Sequence, residues 1–227
     1  MSTFPKFKYS DNPGIVIGFH GCDSTTADDV LKNGKSLNPS QNSYDWLGHG
    51  IYFWEADENR ALEWAKKNQK FKNPTIIGAF IQLGNCLNLL NAEHIKLVES
   101  SYKILKDELK IFGLPIPKNK KAHKHDKFNL IRELDCRVIM RLHQYVKELI
   151  IAELAFDENE SSANKKRAIQ HHPQFIDSVR GMFPEGKELY PMAGFQKQNH
   201  IQICVVNPNC IQGYFRPIRY NNWYKRV

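Results

Sequence analysis

The residues best suited to chemistry lie between Trp46 and Trp64, where the chain reads WLGHGIYFWEADENRALEW. Gly48 and Gly50 flank His49, and glycines there permit positive φ and let a flat ligand come close to the backbone. Ile51, Tyr52, Phe53 and Trp54 all favour β structure and predict a short buried strand. Strand alternation turns Tyr52 and Trp54 one way and Ile51 and Phe53 the other. Asp57 then caps a helix in which Ala61, Leu62 and Ala65 are apolar and Arg60 and Glu63 polar. A flat ring sandwiched between Tyr52 and Trp64 is the binding chemistry this arrangement offers. Upstream, GIVIGF (14–19) predicts a buried strand that delivers His20 to its end. By itself His20 reads better as a core histidine satisfied by a backbone carbonyl, and Tyr52 has the alternative reading of a core aromatic.

Several elements must position these residues. Asp23-Ser24-Thr25-Thr26 precede a short helix, Ala27 to Lys32, closed by Asn33-Gly34. Residues 35–45 read as a polar surface loop beside the Gly-rich turn. Thr75–Leu83 predicts a second buried strand, and Asn91–Phe112 an amphipathic helix ended by Pro115-Ile116-Pro117. The segment KNKKAHKHDK (118–127) reads as a flexible solvated connector in preference to a phosphate-contacting loop. Asn129–Phe156 predicts the longest helix, about 40 Å, with Val138, Leu142 and Val146 on its apolar face. Asp157–Lys166 reads as a loop. His200–Val206 and Ile211–Ile218 predict strands, with Pro217 placing the second at an edge or end. Phe4 and Phe7 are edge-strand candidates in a loosely held arm, and the end NNWYKRV is aromatic and basic.

The segment GIYFWEADENRALEWA resembles the G-x-G-[IV]-Y-F…S-x-x-A signature of the ADP-ribosyltransferase superfamily, on its poly(ADP-ribose) polymerase-like side. Gly18-Phe19-His20-Gly21 resembles that family's first motif, a His-Gly at the end of a strand, and Asp29-Val30-Leu31 with Gly34 its next helix and turn. Ile76–Asn85 resembles the following strand, with the Leu-Gly-Asn ending. The resemblance covers roughly residues 14–90 with order and spacing kept. It implies an α+β fold, an ADP-ribosyltransferase-like split β-sandwich. The whole of 1–227 is then one domain, with a large, mostly helical insertion at 91–190.

It also implies the chemistry: cleavage of the nicotinamide–ribose bond of NAD as substrate, with transfer of ADP-ribose to a nucleic acid or protein acceptor. In the family's H-Y-E arrangement His20 would anchor a ribose. Gly21 would approach the nicotinamide carboxamide with its backbone, beside Gly50 and Trp64, and Tyr52 would stack on the nicotinamide. The third position departs from the family, because the aligned segment is Asn199-His200-Ile201-Gln202-Ile203. The glutamate is replaced by Gln202 or His200, or supplied by Glu185 or Glu55. Period two puts His200 and Gln202 on one strand face, with Ile201, Ile203 and Val205 facing the core. A neutral Gln cannot act as a base. Within the family, loss of this glutamate goes with single-unit transfer or inactivity, so the resemblance implies single-unit transfer, and by extension a toxin or phage-defence role. Two alternatives stand beside it: a catalytically silent module binding NAD, ADP-ribose or nucleic acid, and an RNA 2′-phosphotransferase-like enzyme, against which the intact Tyr52 argues.

Length and composition agree with one substantial core: 227 residues, 41% hydrophobic and 11% aromatic. No run reaches 18 uncharged apolar residues, and MSTFPKFKYSDNPG lacks a signal peptide's apolar centre. The five cysteines form no C-x-x-C pair and predict reduced, buried thiols in a cytoplasmic protein. A formal charge of +8 suggests a polyanionic partner, with a nucleic acid the first candidate, against the commoner reading of a solvated lysine-rich surface. His123, His125, His171 and His172 lack metal-ligand spacing, and no Walker A, G-x-G-x-x-G or G-x-S-x-G motif occurs.

Overall fold

The computed structural model describes residues 14–218; Phe4, Phe7 and the aromatic, basic end at 221–227 lie outside the described residues. In chain order the elements are β1 (Ile15–Asp23), α1 (Ser24–Asn33), β2 (Ile51–Glu55), α2 (Glu58–Lys67), β3 (Pro74–Gln82) and β4 (Cys86–Asn88). Then follow α3 (Ala92–Ile111), α4 (Glu133–Leu154), α5 (Ser162–Gln170), β5 (Ser178–Phe183), β6 (His200–Val205) and β7 (Ile211–Phe215). The chain is α+β. Its seven strands form one mixed sheet in the order β4-β5-β6-β2-β1-β3-β7, in which only β4–β5 is parallel. Edge strand β7 stops two residues before Pro217, which has no N–H for the ladder.

The sheet has a weak seam at its middle. β1 pairs with β3 along its whole length, Ile15 opposite Gln82 through Asp23 opposite Pro74. β2 pairs with β6 from Ile51–Val205 to Trp54–Gln202. Between these halves β1 and β2 share only Gly18–Glu55 and Phe19–Trp54. His20 therefore does not end its strand: β3 carries β1 on to Asp23. It stands instead where β1 and β2 part.

Local chemistry explains most of the helix ends. Asp23, Asp57 and Asn91 cap α1, α2 and α3 with their side chains, and Gly34 closes α1 at φ 65 in the left-handed region. Two expectations need correction. α4 begins at Glu133, not Asn129, so its 22 residues span about 33 Å. The reason is Asp126, a buried carboxylate that accepts the backbone N–H of Ala122, Phe128 and Leu130 and turns the chain out of helix. Burial alone would push the Asp126 carboxyl up, but those three N–H donors outweigh it and hold it below the ordinary range. The lysine-rich segment is thus a hydrogen-bonded turn, not a slack connector. In the second correction, the expected loop at 157–166 ends at Ser161, which caps α5 through Asn164 N.

Both faces of the sheet are covered. On one, α1 supplies Ala27 and Val30 over Phe53, Ile77, Ile81 and Ile203. On the other, α4 lays Ile139, Leu142, Val146 and Ile150 over Leu47, Val179 and Cys204. Val138, expected on that same face, turns to α3 and packs with Leu105 and Leu109. The stretch 91–190 holds three helices, but also β5, which pairs with β6 along six residues; its helical part closes at Gln170. The five cysteines are free and buried. No helix among the described residues is long and apolar enough to cross a membrane.

Gly21 shows how tightly α2 sits on β1. A Cβ there would lie 2.5 Å from the Ala61 carbonyl oxygen and 3.2 Å from the Trp64 ring. Gly21→Ala is expected to push α2 off the sheet and lower stability by about 1–2 kcal/mol, measured by urea unfolding.

Candidate active site

A cavity of about 400 Å³ opens at the seam between β1 and β2. Its floor comes from alternate residues of two neighbouring strands, Tyr52 and Trp54 of β2 and His200 and Gln202 of β6. α2 contributes Arg60, Trp64 and Lys67, and the 38–46 loop contributes Asn42, Tyr44, Asp45 and Trp46. His20, Gly50, Leu130, Phe183 and Glu185 also line it. Larger depressions lie elsewhere, of about 570 Å³ between α3 and α4 and about 840 Å³ between α4 and α5. Neither gathers the residues singled out from sequence.

His20 and Tyr52 are adjacent across the seam. The His20 Nδ1 lies 2.8 Å from the Tyr52 carbonyl oxygen. A carbonyl only accepts, so Nδ1 carries the proton and Nε2 is left as an acceptor. The side chain thereby takes over a hydrogen bond where the β1–β2 ladder has stopped. Burial lowers the His20 imidazole, against a smaller opposing effect of that carbonyl, and keeps it neutral. The Tyr52 hydroxyl accepts from Leu47 N at 3.0 Å and donates to the Gly48 carbonyl at 2.8 Å. Its ring is therefore clamped by the Gly-rich turn, where Gly48 has φ 82. Burial pushes the Tyr52 phenol well up, so it is neutral too.

Tyr52 and Trp64, the two rings expected to sandwich a flat ligand, both line the cavity. Trp64, 43% exposed, lies 5.5 Å from Trp54 and 5.9 Å from Phe71, ring centre to ring centre. Trp54, between Trp64 and His200, is the inner aromatic of the cavity. Gly21 has its Cβ direction toward α2 and is not among the residues lining the cavity.

The two third-position candidates on β6 differ chemically. The His200 Nδ1 sits 2.8 Å from the Gln198 carbonyl and must donate to it, leaving a buried Nε2 acceptor with no protein partner. Burial, then the nearby Arg60 charge, lower His200 against the Gln198 carbonyl and two carboxylates, so it too stays neutral. Gln202 accepts the Trp46 indole N–H on its Oε1 at 2.6 Å. Indole only donates, so the amide orientation is settled: the oxygen is occupied and only N–H remains to offer. Trp46 is itself held under the Arg132 guanidinium, 5.4 Å above its ring, and beside Phe183 at 5.2 Å.

Glu185 brings a carboxylate to the cavity rim. Its Oε2 accepts from Arg60 Nη2 at 2.6 Å, and Asn199 fixes its backbone. Arg60 is buried, also contacts Glu63, and has an Nε without a protein partner. Glu55, the other candidate, lies outside the cavity in a bidentate pair with Arg180, at 2.5 and 2.8 Å. Strand alternation puts it on the opposite face from Tyr52 and Trp54. Asp45, also on the lining, holds the Asn42 N–H at 2.8 Å and so fixes the loop.

Sequence reasoning missed Arg60, Trp46 and Asp45. For Arg60 a signal existed: with Ala61, Trp64 and Ala65 it falls on the inward stripe of α2, where a charge demands a partner. For Trp46 and Asp45 none did, because an irregular loop places them. Among the described residues no group of three or more His, Cys, Asp or Glu is arranged to hold a metal ion.

Comparison with known proteins adds kinship without activity. No family description matches the chain, and no solved structure matches it. An uncharacterized protein of Methanocaldococcus jannaschii is 29% identical over 215 residues, covering 86% of this chain and 83% of that protein.

Behind the turn, His49 and His143 face the depression between α3 and α4. Burial, with His49 adding to it, pushes His143 down to about 4 from 6.5. Between those values the unfolded chain binds more protons than the folded one. Stability is therefore full above about pH 6.5 and falls as pH drops toward 4. The thermal midpoint is expected to decline across that window. His143→Leu should flatten the decline only in part, since His20 and His200 shift in the same direction.

Proposed function

We propose that this protein is an NAD-dependent mono-ADP-ribosyltransferase with the split β-sandwich core of the superfamily its motifs resemble. The observation that carries the reading is the meeting of His20 and Tyr52, far apart in the chain, on one cavity rich in aromatic rings. A cavity of about 400 Å³ suits part of a dinucleotide, with the remainder toward solvent. Three buried polar atoms on its lining, Trp54 Nε1, Arg60 Nε and His200 Nε2, have no protein partner, and a polar ligand would satisfy them. The two-pair seam between β1 and β2 fits a sheet divided into two halves.

In the reaction the C1′–N bond of NAD breaks and neutral nicotinamide leaves with the bonding electrons. An acceptor oxygen or nitrogen bonds to C1′, and its proton passes to a base and then to solvent. His20 Nε2 is the acceptor available for a ribose hydroxyl. Tyr52 and Trp54 give flat apolar surface to the leaving ring. Glu185 supplies the negative charge that the oxocarbenium-like transition state needs, because Gln202 presents only an amide N–H. That same substitution limits the product to single units.

Incubation with NAD labelled in the adenylate part, together with RNA, DNA or lysate protein, should give acceptor-bound label and free nicotinamide. Absence of both removes the enzyme reading, and labelled chains remove its mono-transfer clause. A toxin role would follow if expression arrests growth and Glu185→Gln relieves it. One observation favours a silent binding module: the Gln202 oxygen is occupied and Glu185 is neutralised by Arg60. Calorimetric NAD binding without turnover would establish it.

A further inference from the structure

The basic turn 118–127 does not project into solvent alone. It faces the 186–198 loop across a groove of about 1010 Å³ whose end meets the cavity: Leu130 lines both, and Glu185 of the cavity precedes Gly186 of the groove. Both walls are built. Asp126 gathers the backbone of one. In the other, Leu189 N–H donates to the Phe195 carbonyl, Lys197 N–H to that of Lys187 and Gln198 N–H to that of Glu185. The Lys127–Glu188 ion pair, at 2.7 Å, ties the two together.

The groove's surface combines two kinds of group. Lys187 and Lys197 line the groove, are exposed and have no acidic partner among the described residues; on the opposite turn the equally exposed Lys121 and Lys124 stand on either side, in the chain, of the lining residue His123. Beside them Tyr190, on the lining, is 55% exposed, and Phe195, on the same loop, is 63% exposed; neither has a ring partner among the described residues. Unpaired ammonium groups attract a phosphate backbone, and bare aromatic faces stack on unpaired bases. A duplex buries its base faces and could use only the charges. We propose that this groove binds single-stranded nucleic acid and feeds it to the cavity as the acceptor class for ADP-ribosyl transfer, an assignment that rests on the transferase reading above.

The test is fluorescence anisotropy with 5′-labelled mixed-sequence oligoribonucleotide, oligodeoxyribonucleotide and a matched duplex, without NAD. Either or both single strands should bind at low salt, the tighter one identifying the sugar, and the duplex about tenfold more weakly. Affinity should fall steeply with salt. Lys187→Glu/Lys197→Glu, both on the groove lining, should cost about tenfold or more, and Tyr190→Ala about fivefold or more. Lys166→Glu/Arg167→Glu makes the same charge change on α5, which packs by the far end of α4, and should cost less than about twofold. All these positions are exposed, and thermal melts check that each variant folds.

No single-strand binding, equal duplex binding, or equal losses from both charge reversals would overturn the groove. In the reaction with NAD, label on protein but not on the bound strand would overturn the acceptor class. The two readings fail separately. Nicotinamide release into water without strand binding sinks the groove alone, whereas strand binding without any NAD turnover sinks the transferase and leaves the groove.

Discussion

Glu185→Gln is expected to slow nicotinamide release from NAD by about 100- to 1,000-fold while changing KM little. The substitution keeps size and hydrogen bonding to Arg60 but removes the one cavity-rim carboxylate that is not committed to a loop backbone. Such a loss falls on kcat because positive charge on the sugar exists in the transition state and hardly in the ground state. Gln202→Ala provides the contrast. Its oxygen already holds the Trp46 indole, so removal loosens a wall of the cavity and should cost about tenfold, mainly in KM. Steady-state kinetics on the two variants decides between them. A larger kcat loss for Gln202→Ala than for Glu185→Gln would return the third catalytic position to β6.

Arg60→Met should lower stability by about 2–4 kcal/mol, or the thermal midpoint by roughly 5–15 °C. The Arg60 side chain is 10% exposed and that of Glu185 25%, so the cut leaves a carboxylate in poor contact with water and without its cation. Glu63, at 50% exposure, can turn to solvent and suffers less. In Arg60→Met/Glu185→Gln no charge is stranded, and the double variant should be more stable than the sum of the single effects requires. Calorimetric melts of the four proteins give the coupling. Strict additivity would mean that the pair does not act as a unit.

These effects arise because α2 turns a charged residue inward. On a helix wheel Arg60 was visible on the inner stripe, but its partner lies 125 residues away in a loop with no periodic signal. The same limit applies to Trp46 and Gln202, which meet across 156 residues. Local rules handled what was local: Asp23, Asp57 and Asn91 cap the helices they precede. Alternation placed Tyr52 with Trp54 and separated them from Phe53, which lies in the opposite core. Local rules failed where a distant contact overrode propensity. Asp126 pulled residues 129–132 out of α4, and β3 extended β1 beyond His20.

By itself the sequence determined the kinds of elements and the faces they bury, since side-chain periodicity and capping act within a few residues of one another. It also supplied His20, Tyr52 and the aromatic, glycine-bearing setting of the cavity. The tertiary structure alone decided that β1 and β2 part at His20, that Gln202 is tied by its oxygen to Trp46, and that Glu185 reaches the cavity on Arg60. Each depends on strand register or an ion pair between remote segments, and such contacts are settled by packing the whole chain.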